Sequence, residues 1–157
     1  MSLLLSKTLL IILSFIVLII DQATKLIIVN FILPNQSIKV FSFLNIVNVK
    51  NTGAAFGLFQ SLGNSVFIII SIVAILIVFF MIIKSKDDTF ALSLILGGAM
   101  GNLTDRLRLG YVVDFIDIHI RNYHWPAFNM ADSALTIGIS LLFIRLVWDL
   151  WRERTNR

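Results

Sequence analysis

Five stretches of this sequence set carboxylates, amides and cations among apolar residues: DQATK at Asp21–Lys25, NTGAAFG at Asn51–Gly57, GNLTDR at Gly101–Arg106, GYVVDFIDIH at Gly110–His119 and FNMADS at Phe128–Ser133. Ionisable groups in such surroundings are costly to desolvate, which makes each stretch a functional candidate. Two carboxylates close together in a partly desolvated site cannot both ionise easily, so one keeps its proton. One can then take a proton from water while the other protonates a carbonyl, as in an aspartic protease. Asp105, Asp114, Asp117 and Asp132 are the candidates. Asp114 and Asp117, three residues apart, share a face on a helix and diverge on a strand. Asp114 and Asp132 come from different elements, so a substrate can pass between them. Asp105 adjoins Arg106, which would keep it ionised. The competing reading has these carboxylates only capping helices and pairing with Arg106 or Lys25.

Other polar residues admit paired readings too. Asp21 and Lys25, spaced i,i+4, suit an ion pair or direct chemistry. Gly53, Ala54 and Ala55 beside Asn51 form either a strand-ending turn or a place where another backbone lies close. Arg106 can satisfy Asp105 locally or hold a carboxylate or phosphate in its planar fork. His119 and His124 lack spaced metal-ligand partners and read as surface residues. Ser133 reads as a helix cap rather than a nucleophile. Tyr123, Trp125, Trp148 and Trp151 read as interfacial anchors.

The elements that must position these residues follow from composition. The 157 residues are 58% hydrophobic and 14% charged, where a soluble domain carries about a quarter charged residues. The expected fold is an α-helical integral membrane protein: four transmembrane helices with a small extracytoplasmic β platform, in one domain. Crossing the hydrocarbon takes about 20 residues, which places spans near 8–29, 64–84, 89–108 and 129–150 and the platform near 36–57. Residues 1–20 look like a secretory signal peptide but lack a cleavage site, so the first span is read as retained. Pro34 and Asn35 end it, KSKDD turns after the second span, and residues 109–128 form a loop. Gly97, Gly98 and Gly101 would let the third span approach its neighbours closely. The absence of cysteine removes disulfides, thiolate metal sites and thiol nucleophiles. The net charge of +4 is scattered rather than gathered in a nucleic-acid face, and suits anionic headgroups better.

Spans one and three end on the face where spans two and four begin, so alternating topology gathers the unusual residues at one end of the bundle. Lys7, Lys84, Lys86, Arg152, Arg154 and Arg157 mark one side, and Lys25, Lys39, Lys50, Arg106, Arg108 and Arg121 the other. Several of the second set sit inside polar motifs, which favours cytoplasmic termini and a site near the outer face. The rival from another class is a small ion- or proton-coupled transporter, which usually places its acids near the midplane between broken helices or repeats. No repeat is visible here.

Taken in order along almost the whole chain, DQATK, NTGAAFG, GGAMGNLTDR, VVDFID and FNMADS resemble the motifs of the bacterial lipoprotein signal peptidases, or type II signal peptidases. The resemblance implies a membrane-embedded aspartyl endopeptidase of the bacterial inner membrane with Asp114 and Asp132 as its catalytic pair. It implies that Asp21, Lys25, Asn51, Gly53, Asn102, Arg106 and Asn129 support the site, with Asp117 secondary. The implied substrate is a prolipoprotein cut before a diacylglyceryl-modified cysteine. No metal or organic cofactor is implied. The implied partners are substrate, membrane lipids and globomycin-type inhibitors, with no nucleic acid and a monomeric chain.

Overall fold

The computed structural model describes residues 2–34, 36–53, 63–84 and 89–155. Asn35, Ala54, Ala55 and Gly57, most of the KSKDD turn, and Arg157 of the positive set lie outside these residues. In chain order the elements are α1 (Ser2–Phe31), β1 (Ser37–Phe41), β2 (Leu44–Asn51), α2 (Asn64–Lys84), α3 (Thr89–Leu109), β3 (Val112–Ile120), β4 (Tyr123–His124) and α4 (Met130–Thr155).

Among the described residues, three helical segments are long and apolar enough to cross a membrane: Lys7–Phe31, Asn64–Lys84 and Met130–Thr155. Their outward faces stay apolar, with Phe15, Ile19, Ile69, Phe80, Ile139 and Phe143 all exposed, as lipid-facing surfaces require. The third expected span does not join this group. α3 has 21 residues but spends them on Gly97, Gly98, Gly101, Asn102, Asp105, Arg106 and Arg108. The physical reason is enclosure: α1, α2 and α4 all pack on α3. A helix surrounded by other helices needs small residues for close approach and can keep polar groups inward. A Cβ on Gly98 would lie 2.5 Å from the Ala131 carbonyl oxygen of α4, and one on Gly101 would lie 2.5 Å from Asp21 Oδ2 of α1.

The sheet is larger than the sequence suggests. Its strands run β1-β2-β3-β4, all antiparallel, so the stretch expected to be a loop at 109–128 supplies two of the four. Val112, Val113, Asp114 and Phe115 are all buried. Val113 and Phe115 pack against Ile28 and Ile32 at the end of α1. Asn48 of β2 donates to the Ile32 carbonyl at 2.7 Å, satisfying backbone just past the end of α1. At the other end, the Lys7 ammonium donates to the Ile83 carbonyl in the last turn of α2, where a cation also suits the helix dipole.

Candidate functional site

β3 answers the question of the two aspartates. On a strand, residues three apart point to opposite faces. Asp114 stands opposite Val49 and Asp117 opposite Asn45 in β2, with a register shift between Ile46 and Val49. Asp114 is buried against the helices, and Asn51 Nδ2 and Asn129 Nδ2 donate to its two oxygens at 2.9 and 2.7 Å. Burial first, and the Asp132 charge second, push its pKa up to about 7, against the opposing pull of the Asn51 and Asn129 bonds and the Lys25 charge.

Asp132 occupies the first turn of α4. Asn129 caps that helix: its Oδ1 accepts the Asp132 N–H at 2.9 Å, while Asp132 Oδ2 accepts the Asn129 N–H at 3.3 Å. This is a capping box with asparagine and aspartate as its members. The second Asp132 oxygen accepts from Asn102 Nδ2 at 2.7 Å. Asn102 Oδ1 in turn accepts from Asn129 Nδ2 at 3.2 Å and from Lys25 at 3.0 Å. Ser133 donates its hydroxyl to the Asn129 carbonyl at 2.9 Å, so the cap is Asn129 rather than Ser133.

Beneath the carboxylates lies a buried charge cluster. Lys25 reaches Asp21 at 2.9 Å and Asp105 at 3.0 Å. Asp21 Oδ1 also accepts the Ala131 N–H at 2.9 Å, tying α1 to the start of α4. Asp105 therefore does not serve Arg106. Adjacent helical residues point about 100° apart, so the neighbour in sequence is not the neighbour in space. Asp105 Oδ2 accepts the Val113 N–H at 3.0 Å, one residue before Asp114. Arg106 instead donates to the Gly53 carbonyl at 2.8 Å and lies over the Phe67 ring at 5.3 Å. Gly53 N–H donates to Asn51 Oδ1 at 2.9 Å. Asp21, Lys25, Asn51, Gly53, Asn102, Arg106, Asp114, Asn129 and Asp132 thus form one connected network.

Two contributors had no distinct signal. Gln22 donates to Asp105 Oδ1 at 2.9 Å and to the Gly101 carbonyl at 3.1 Å, although it stands in plain view within DQATK. Asn64 of α2 donates to the Arg106 carbonyl at 3.0 Å. Trp125, read as an interfacial anchor, lines the cavity described next. His119 and His124 stack at 4.9 Å, and among the described residues no group of three or more His, Asp or Glu is arranged to hold a metal.

The network opens onto a cavity of about 720 Å³. Asn51, Asn102, Arg106, Asp114 and Asp132 form its polar end, and Phe67, Ile70 and Ala74 of α2 face Leu135 and Ile139 of α4 along the rest. α2 and α4 pack on α3 rather than on each other, which leaves this apolar slot between them. The arrangement offers a carboxylate pair for proton transfer at the head of a groove suited to an apolar chain.

Fold and site together define a helical membrane protein in which a buried Asp114 on the small sheet and a half-buried Asp132 at the start of α4 join one polar network. The chain belongs to the signal peptidase II family, whose model, described as "Signal peptidase (SPase) II", matches residues 13–148. It is 51% identical over 127 residues to a "Lipoprotein signal peptidase" of Thermodesulfovibrio yellowstonii, covering 81% of this chain and 86% of that one. Against a protein of the same name from Francisella tularensis subsp. novicida it is 42% identical over 150 residues, covering 90% and 93%. A solved structure described as a bacterial membrane enzyme superposes with a TM-score of 0.84 at 39% identity, covering 91% of this chain and 90% of that one. The family and the apolar helices make this a bacterial membrane protein and a peptidase.

Proposed function

We propose that this chain is an aspartic endopeptidase that removes the signal peptide of prolipoproteins, cutting before a diacylglyceryl-modified cysteine, with Asp114 and Asp132 as its catalytic pair. The observation that carries the reading is that one residue, Asn129, donates to both carboxylates, by its side-chain amide to Asp114 and by its backbone N–H to Asp132, at the polar head of an otherwise apolar cavity. The name shared by the relatives supports the lipoprotein substrate. Family membership does not favour the transporter alternative.

In this mechanism the pair shares one proton. The proton is assigned in this mechanism to Asp114, whose carboxyl burial and the neighbouring charge raise to about 7, and Asp132, held by Asn102 and the Asn129 N–H, is the base. Asp132 takes a proton from water as the oxygen attacks the scissile carbonyl, and Asp114 gives its proton to the carbonyl oxygen. The resulting diol collapses when Asp132 passes its proton to the amide nitrogen and Asp114 takes one back from a diol hydroxyl, with no covalent intermediate. Asn51, Asn102 and Asn129 fix the oxygens. Asp21 and Lys25 anchor the helix ends beneath them, and Arg106 holds Gly53 at the rim.

α3 is the fourth span in this reading, its polar residues screened from lipid by three neighbours. Of the basic residues on the site's side, Lys25 and Arg106 are buried and engaged, so they are not headgroup-facing charges of the kind that set orientation. That supports cytoplasmic termini, a site near the outer face and an extracytoplasmic sheet. Action as a monomer, contact with membrane lipids and inhibition by globomycin-type cyclic peptides belong to the same proposal.

The test is purified protein in detergent micelles with a diacylated precursor. Asp114→Asn and Asp132→Asn should each lose turnover by roughly 10²- to 10⁴-fold. Processing at the normal rate by either folded variant would overturn the assignment.

A further inference from the structure

We propose that Asp117 and His124 form a latch that sets how the segment Trp125–Phe128 stands against the cavity, which makes them positioning residues for substrate; this rests on the reading of that cavity as the substrate site. Asp117 is a nearly buried carboxylate that the mechanism does not use. Burial pushes its pKa up, but hydrogen bonds from Asn45 and His124 outweigh that and hold it below the ordinary range. Asn45 Nδ2 donates to Asp117 Oδ2 at 2.9 Å from β2, and His124 Nδ1 lies 2.8 Å from Oδ1 and 3.0 Å from Oδ2. The His124 ring stacks on His119, whose Nδ1 is 3.2 Å from the Arg121 carbonyl. These side chains join β2, β3 and β4 at one point.

Trp125 follows His124 directly, and Trp125, Pro126, Ala127 and Phe128 all line the cavity. The far end of this segment is fastened by backbone: Phe115 and Ile116 N–H donate to the Phe128 carbonyl at 3.0 and 2.8 Å, and Phe128 N–H donates back to Ile116 at 3.1 Å. Asn129 comes next, so the catalytic pair stays fixed whatever happens at the near end. The near end is held by the pairing of His119 with His124 and of Ile120 with Tyr123, by a backbone bond from Trp125 N–H to the Ile118 carbonyl at 2.7 Å, and by the latch. The hairpin there turns through Arg121 at φ 55°, an unfavourable conformation for a residue with a Cβ that persists only where surrounding ties enforce it. Loss of the latch removes the side-chain tie among β2, β3 and β4, which loosens Trp125–Ala127 at the cavity wall and leaves the carboxylates in place.

The experiment compares Asp117→Ala, His124→Ala and His124→Asn, the last keeping an amide donor near the Nδ1 position, on a fluorogenic diacylated prolipoprotein peptide. The alanine variants should raise KM about fivefold, the net scale of one ordinary hydrogen bond, with kcat within about twofold. His124→Asn should recover most of the loss, and the double alanine variant should be no worse than either single one. Amide hydrogen exchange should rise in residues 121–127 alone. The proposal is overturned if kcat falls with KM unchanged, if His124→Asn is as impaired as His124→Ala, if exchange rises throughout the chain, or if it rises locally with KM unaltered. Hydrogen exchange reports on the latch whether or not the protein cleaves, so failure of the peptidase reading, seen as full activity in Asp114→Asn, stays distinguishable.

Discussion

Asn129 and Asp132 cap each other: the asparagine side chain accepts the aspartate's N–H at 2.9 Å, and the aspartate carboxylate accepts the asparagine's N–H at 3.3 Å. The same asparagine donates to Asp114 at 2.7 Å. A device that ordinarily starts a helix here also spaces two carboxylates.

The two duties can be separated. Asn129→Ala should lose roughly 1 kcal/mol of stability with the cap and about 10²-fold in kcat through misorientation. Asn129→Ser keeps an acceptor for the helix but cannot reach Asp114, so thermal unfolding should recover while turnover does not. Full turnover in the serine variant would show that the Asp114 bond is dispensable.

Asp114 fixes the pH response. Its folded pKa of about 7 lies above the ordinary 3.8, so its contribution to stability is complete below about 3.8 and is lost as pH rises through about 7. Turnover should fall across the same upper limit, as the shared proton leaves. Thermal unfolding in micelles should lose less between pH 5 and pH 8 for Asp114→Asn, which cannot ionise, than for the native chain.

Gly98 sits where α3 meets α4 one residue before Asp132. A Cβ there would press on the Ala131 carbonyl oxygen from 2.5 Å, a backbone atom with no rotamer to yield. Gly98→Ala should cost about 1–3 kcal/mol of stability and lower kcat, read by thermal unfolding and peptide cleavage.

Lys25 forms ion pairs with both Asp21 and Asp105 inside the helices. Lys25→Met should destabilise the protein by about 3–5 kcal/mol, since it strands two buried carboxylates. Adding Asp105→Asn should restore part of that loss, because one stranded charge goes and an acceptor for Val113 N–H remains. The level of folded protein extracted from membranes checks both.

Much of this site is legible in the sequence because membrane burial makes polar residues conspicuous: each of the five polar stretches places at least one described residue in the network. β3 escaped because Val112–Phe115 are buried without interruption. A strand enclosed on both faces shows no alternation, and its partner β2 lies some sixty residues away, with an irregular register. Asp105 was assigned to its chain neighbour because sequence displays adjacency along the helix and conceals the α1 side chains above it. Choosing Asp114 over Asp117 needed either the strand or the family motifs.

The polarity of α3 bears on how the chain reaches its membrane. A helix carrying Asn102, Asp105 and Arg106 gains little by entering lipid alone, whereas α2, immediately before it, is almost wholly apolar. On the four-span reading, α3 must enter as the second arm of a hairpin drawn in by α2, and its charges find their partners on α1 only after arrival. Weakening α2 with a single central charge should therefore leave α3 outside the bilayer, and the defect would surface during biogenesis rather than in turnover by the finished enzyme.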